Sequence, residues 1–371
     1  MELYYTIHIL VFASLLFEFF GLDTKKKVMI FWGIFFTFFG GLRWRIGGDW
    51  DQYYEHFKFA EFSNIFNYDR YGTGSEKLEP GFVFLNAFIK FIFGKFYWYN
   101  LIVCGFLQFT IYKFCLRFCR SHPLIMYCWI IVAAYNYFPV RSGLSVGIVY
   151  WAYHFLQNRD LKKYVLVVLC ASLIHNQCLV MLPLYWIGLI KLNYKRFIAV
   201  YLFLIFNAIY FKDYFMLLAS IVGGELGDKA YLYTQVETDG FNGASYASWF
   251  LNFILGIMFI WYRNTQKLTK DLWYNTLINL FVLYMGVFIV FSQGSGDLTR
   301  LNASIGIGFV IIFCSTVAKL IDSKNKTYVI LALLFYVIYY LYKFNQVGTG
   351  FFFKECNVPY RTIFDYSMSL L

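Results

Sequence analysis

The sequence predicts an all-α, polytopic integral membrane protein with about 12 transmembrane helices and re-entrant or interfacial segments between them. Three observations carry that prediction. Hydrophobic residues make up 60% of the 371 residues and charged residues only 14%, with a mean hydropathy of +0.56; an ordinary soluble domain carries about 25% charged residues. Apolar stretches near the ~20 residues needed to cross the hydrocarbon core recur from end to end. Between them lie six short loops, each with three Lys or Arg: Lys25, Lys26 and Lys27; Lys113, Arg117 and Arg120; Arg159, Lys162 and Lys163; Lys191, Lys195 and Arg196; Arg263, Lys267 and Lys270; Lys319, Lys324 and Lys326.

The loops set the expected topology, because Lys- and Arg-rich loops are retained on the cytoplasmic side. They hold 18 of the 32 basic residues and only four acids: Asp23, Asp160, Asp271 and Asp322. Elsewhere 14 basic residues face 16 acids, with Glu18 set aside inside the first span. The net charge of +11 is therefore a positive-inside bias and not a nucleic-acid surface.

Taken in order, the first apolar run (3–21) has no basic n-region and no A-x-A cleavage site, and three lysines follow it. It reads as a retained span, not a cleaved signal. Further spans are expected near 28–44, 99–115, 123–139, 141–157, 164–174, 177–190, 196–212, 247–262, 273–291, 301–318 and 328–342, all within one integral membrane domain. Residues 81–94 form an apolar run of only 14 residues that contains Lys90, which fits a re-entrant or interfacial segment better than a span. Residues 164–190 are few for two ordinary spans, yet two are needed to keep Lys191–Arg196 inside. The rival topology makes 81–98 a full span and 164–190 a single one, and it moves six basic charges to the wrong side. Both termini then lie outside, with outer loops at 43–98 and 213–246 and an outer tail at 344–371.

The chemistry is expected on that outer side. Directly after the second span, Arg43, Arg45, Gly47, Gly48, Asp49, Asp51, Tyr53 and Tyr54 follow in close order. Arginine forks suit phosphate oxygens, and a neighbouring carboxylate can take a proton from a hydroxyl; the plainer reading is a helix end with snorkelling Arg and a solvated acidic turn. Asp49-Trp50-Asp51 also has D-x-D spacing, by which many glycosyltransferases hold a divalent metal. Arg141 opens a helix after Pro139, where free N–H groups attract an anion. Gly143, Ser145 and Gly147 behind it allow close helix packing. His175, between two short apolar segments, is either a satisfied helix-to-helix bond or a substrate or catalytic group. Asp297 and Arg300, three apart in a short turn, either pair with each other or form a second phosphate clamp. Glu79 at the head of the 81–94 run is either a second acid or a helix cap.

Seven of the eight cysteines lie in or beside apolar helices, without a C-x-x-C pair, and read as core. The 24% aromatic content fits interfacial belts. No P-loop, H-E-x-x-H, G-x-S-x-G or dinucleotide fingerprint occurs, which disfavours ATP-driven transport and Ser-triad or zinc hydrolysis.

In arrangement, Arg43, Gly47, Asp49 and Tyr53 after the second span, E-P-G-F at Glu79, Pro80, Gly81 and Phe82, the Arg141 helix start, Ser172 and His175, Arg300, and V-P-Y-R at Val358, Pro359, Tyr360 and Arg361 resemble the EpsG family of Wzy-like polysaccharide polymerases. The likeness runs in order over nearly the whole chain. It implies an enzyme at the outer face of a bacterial plasma membrane that joins oligosaccharide repeat units carried on polyprenyl diphosphate, with a GT-C-like arrangement compatible with the helix count. The expected substrates are those lipid-linked oligosaccharides within the membrane lipid; a chain-length regulator and a flippase of the same pathway are the expected protein partners. On this resemblance Arg141 and Arg300 neutralise the departing diphosphate, Arg43 or Arg45 holds the second lipid's diphosphate, Tyr53 and Glu79 contact substrate, and Asp49 is the favoured base with His175 as runner-up. Arginine clamps can replace a metal, so neither metal nor cofactor is expected. A flippase or transporter, a ligase of the same chemistry, and a membrane acyltransferase are the rival readings.

Overall fold

The computed structural model describes residues 2–20, 24–69, 77–133, 138, 141–210, 243–291, 301–322, 326–348 and 356–365. Every regular element among them is a helix, and extended backbone pairs only at two isolated antiparallel bridges, Arg43 with Thr362 and Asp69 with Lys77. The helices are α1 (Glu2–Ala13), α2 (Leu15–Phe19), α3 (Lys25–Gly41), α4 (Trp50–Phe59), α5 (Pro80–Phe93), α6 (Phe96–Phe118), α7 (Pro123–Cys128), α8 (Arg141–Asn158) and α9 (Leu161–Ser172). After a 3₁₀ helix (Asn176–Leu189) come α10 (Tyr194–Ile209), α11 (Gly243–Thr265), α12 (Leu272–Phe291), α13 (Asn302–Ile321) and α14 (Lys326–Gly348).

A helix lies within each of the twelve stretches expected as spans. By length and composition alone, four stretches among the described residues are long and apolar enough to cross a membrane: Glu2–Phe19, Phe96–Phe118, Leu272–Phe291 and Asn302–Ile321. Large apolar side chains face outward along one side of several helices. On α3, Ile30, Phe31, Ile34 and Phe38 are exposed while Met29, Trp32 and Phe36 are buried. Apolar surface on that scale marks a membrane-facing or partner-facing side.

The two ambiguous stretches have clear local structure. The 81–98 segment is not one helix: α5 stops at Gly94, whose φ of 70° is the left-handed C-cap that favours glycine, and α6 starts two residues later. The 164–190 segment breaks at 173–175 into α9 and the 3₁₀ helix. At about 2.0 Å per residue a 3₁₀ helix of 14 residues reaches about 28 Å, whereas an α-helix of that count reaches about 21 Å. At 14 residues Asn176–Leu189 is one of the shorter apolar helices and not one of the four candidate spans.

The chain divides into two units, Met1–Leu179 with Phe313–Leu371, and Val180–Ile312. In the first, α3 and α6 pack most extensively, with α8 against α6 and α9 against α8. Glycine permits the closest approach: a Cβ on Gly41 would stand 2.6 Å from the Leu101 side chain, and one on Gly147 would stand 3.2 Å from Leu107 and Phe106. The basic loops of this unit gather at one end. Lys25 donates to the Ser121 carbonyl and pairs with buried Glu18; His122 bridges Glu18 and Asp322; Lys326 donates to the Phe19 carbonyl; Arg117 donates to Gln157 and Asn158. The hydrogen bond to Glu18 leads in raising the His122 pKa. Arg43, Arg141 and His175 follow or begin the opposite ends of α3, α8 and α9.

In the second unit, buried Arg263 ties the end of α11 to the Leu192 carbonyl and to Asn275 of α12. Asn279 donates to the Ile190 carbonyl past the end of the 3₁₀ helix. Gly256 makes room for the Phe197 ring.

Candidate active site

The E-P-G-F run builds the densest polar cluster at the end away from the basic loops. Glu79 precedes proline, which disfavours helical backbone, and it is extended (φ −63°, ψ 133°). Pro80 is the first residue of α5, where its missing N–H costs nothing. Gly81 then lies directly on the turn after α9: a Cβ there would stand 2.8 Å from the Leu173 carbonyl oxygen and Cβ. The Phe82 N–H donates to that same carbonyl at 3.2 Å, and the Phe82 ring is fully buried. So the head of α5 is seated on the turn that carries His175.

That seating aims Glu79 inward. Its Oε2 accepts from Arg141 Nη1 at 2.9 Å, and its Oε1 accepts from the Asn176 N–H at 3.1 Å and contacts His175 Nδ1 at 3.2 Å. Glu79 and Arg141 are buried, at 7% and 9% exposure. Burial pushes the Glu79 pKa up, but the His175 hydrogen bond, the Arg141 charge and the Asn176 N–H together outweigh it and hold the carboxyl at about 2. Glu79 is therefore an ionised acceptor. It is not a cap of α5, since its side chain makes no capping bond there. With Nδ1 serving as the donor to Glu79, Nε2 of His175 is left as an acceptor. Arg141 Nε is buried without a hydrogen-bond partner among the described residues.

Arg43 forms a second centre. It is 2% exposed, with its guanidinium 5.1 Å from the Phe138 ring centroid, a cation–π geometry. Tyr4, Tyr99, Tyr360 and Cys104 lie within electrostatic reach of it. The C-terminal segment pins this residue: the Trp44 N–H donates to the Arg361 carbonyl at 3.0 Å and the Ile363 N–H to the Leu42 carbonyl at 3.0 Å, on either side of the Arg43–Thr362 bridge. The Tyr360 ring stacks on Phe39 at 4.4 Å and 9°, and the Tyr4 hydroxyl donates to the Asn357 carbonyl. V-P-Y-R is thus a strap over Arg43.

Tyr99 joins the two centres. Its phenol, fully buried and without a hydrogen-bond partner among the described residues, lies within electrostatic reach of Arg43, Arg141 and Tyr53. Tyr53 sits in the same aromatic core, its ring 5.8 Å from Phe82. Composition pointed to aromatics in general; nothing in the sequence singled out Tyr99, Tyr4 or Phe138, and V-P-Y-R was the one local sign of Tyr360.

The remaining candidates fall elsewhere. Asp49 is exposed at the N-terminus of α4, and its side chain makes no capping hydrogen bond there. Arg45 (φ 51°) pairs with Asp51 at 3.1 Å on an open surface, where such a pair contributes little. Gly47 (φ 101°) takes the left-handed turn expected of it, and its N–H donates to the Cys356 carbonyl. Among the described residues no group of three His, Cys, Asp or Glu could hold a metal ion. Arg300, Asp297 and most of the 213–246 loop lie outside the described residues.

A family model described as the EpsG family matches residues 26–362. No curated protein and no solved structure shows significant similarity to the chain.

Proposed function

The chain belongs to the EpsG family, and from that premise we propose that it polymerises polyprenyl-diphosphate-linked oligosaccharide repeat units by glycosyl transfer at the outer face of the bacterial plasma membrane. The single observation that supports this chemistry most is the Glu79–His175–Arg141 cluster. It combines an oriented base and a buried cation at the end of the first unit opposite its basic loops.

In this reading His175 is the general base and Glu79 is its positioning residue. Nε2 of His175 takes the proton of the acceptor sugar hydroxyl as that oxygen bonds to the anomeric carbon of the donor. The bond from that carbon to the diphosphate oxygen breaks, and the electron pair leaves with the lipid diphosphate. Arg141, with Nη1 on Glu79 and Nε not yet engaged, offers a charged donor to the leaving oxygen. Arg43, with Tyr99 beside it, is the candidate holder of the second diphosphate, and Tyr53 lines the space between. The preference for His175 over Asp49 follows from orientation, since Glu79 holds His175 whereas the exposed Asp49 side chain does not cap its helix. Arg300 keeps its expected role as a second clamp on the departing diphosphate, and Arg45 remains the alternative to Arg43 for the second diphosphate.

The test is a glycan analysis of lipid-linked intermediates, with their membrane side, in cells lacking the chain and in cells carrying His175→Ala. Single repeat units accumulating outside in both would support the assignment. Units trapped inside would indicate a flippase, and long unattached lipid-linked chains outside a ligase. Normal polymer from His175→Ala would remove His175 as the base. Polymerisation by the purified protein is expected to persist in excess chelator; loss restored by Mg²⁺ or Mn²⁺ would overturn the metal-free mechanism.

A further inference from the structure

At the basic end of the first unit, far along α6 and α8 from Arg141, the two helices enclose a groove of about 300 Å³. Its floor is aromatic: Phe114 of α6 lies 4.6 Å from Tyr150 of α8, both buried, and Trp151 stands exposed beside them. Its mouth is basic. Lys113 and Arg117, one helical turn apart on α6, face His154 on α8.

Among the described residues no carboxylate lines this groove. Arg117 donates to Gln157 and Asn158, two neutral amides that satisfy geometry and leave the charge in place. Lys113 lies 5.6 Å from the Phe109 ring centroid, again without an acid. The neighbouring acid, Asp160, is taken by Lys163 at 2.9 Å. The groove therefore interleaves the cations Lys113 and Arg117 with the rings of Phe114, Phe118, Tyr150 and Trp151, and α6 is one of the helices long and apolar enough to cross a membrane. That pairing of cations with apolar rings matches an amphiphile with an anionic head.

We propose that the α6–α8 groove binds an acidic glycerophospholipid of the leaflet facing the basic loops. The phosphodiester would sit between Lys113 and Arg117 through charge-assisted hydrogen bonds, and an acyl chain would lie on Phe114, Tyr150 and Trp151. A free phosphate would fill the mouth and leave the aromatic floor uncovered. The inference rests on the membrane character of the chain and not on glycosyl transfer.

The full-length protein, purified in neutral detergent, is titrated with phosphatidylglycerol, phosphatidylcholine or inorganic phosphate and followed by native mass spectrometry and thermal unfolding. Phosphatidylglycerol alone is expected to be retained and to raise the melting temperature. The Lys113→Gln/Arg117→Gln double variant is expected to weaken its binding about 25-fold, at about 1 kcal/mol per cation removed. Equal effects of both lipids, inorganic phosphate reproducing the shift, or unchanged binding by the double variant would overturn the proposal. If the double variant does not fold, Trp151→Phe provides the second reading. Brominated-acyl phosphatidylglycerol should quench the wild type more than this variant, and identical quenching would overturn the assignment.

Discussion

At Glu79 two carboxylate oxygens meet three donors, from Arg141, His175 and the Asn176 backbone. A buried charge in that position stabilises the fold only while it stays ionised. Its pKa is about 2, against an ordinary value of 4.5. Because the folded-state value is depressed, its contribution is complete above about pH 4.5 and drains away as pH falls toward 2. The total is about 3 kcal/mol. Acid unfolding of the wild type in detergent should show this slope between those values. Glu79→Gln should flatten it and lower stability at neutral pH, because Arg141 is then left buried without its counter-charge. His175→Ala should lower the polymerisation rate by about 10²–10⁴-fold with protein abundance unchanged, as expected for a general base. Arg141→Lys, which keeps the charge but loses the planar fork, should restore only part of what Arg141→Ala removes.

Elements set these residues in place through contacts that leave no slack. The head of α5 meets the Leu173 turn across Gly81, and a methyl group there would stand 2.8 Å from a backbone carbonyl. Gly81→Ala should therefore cost about 1–3 kcal/mol and reduce polymer formation, while Gly48→Ala, outside that contact, should do neither. Polymer yield and thermal unfolding of the two variants decide the point. The C-terminal strap works similarly on Arg43. Truncation before Cys356 removes both backbone hydrogen bonds that flank Arg43 and the Tyr360–Phe39 stack. The truncated chain should insert and fold yet lose chain extension, and Tyr360→Ala should lose about 1–3 kcal/mol of stability. Wild-type polymer from either would mean the strap does not serve Arg43.

For the whole molecule, sidedness is the property on which the functional reading depends. Single cysteines at Asp49 and at Lys163, in a background without other cysteines, should label from opposite sides of the membrane. Asp49 is expected outside and Lys163 inside. Labelling of both from one side would overturn the topology, and with it the placement of the Glu79 cluster.

Apolar length and the Lys and Arg asymmetry are one-dimensional properties, so the sequence by itself determined the all-helical membrane class and the helix positions. It also named Glu79, Arg141 and His175 as candidates, because ionisable groups beside apolar helices are costly and stand out. It favoured two crossings over one at 164–190 only through the sidedness of Lys191–Arg196. Residue count alone presumes α-helical rise, and the longer 3₁₀ rise of 176–189 emerges only with the backbone. Nor did it join Glu79 to His175, 96 residues apart in sequence, or bring the tail across to Arg43, since such contacts depend on which helices pack. Tertiary structure also gave Glu79 its role. A carboxylate near Pro and Gly reads equally well as a cap or an acid until the groups around it are in place. Three donors and burial then make it the fixed anion that orients His175 and Arg141.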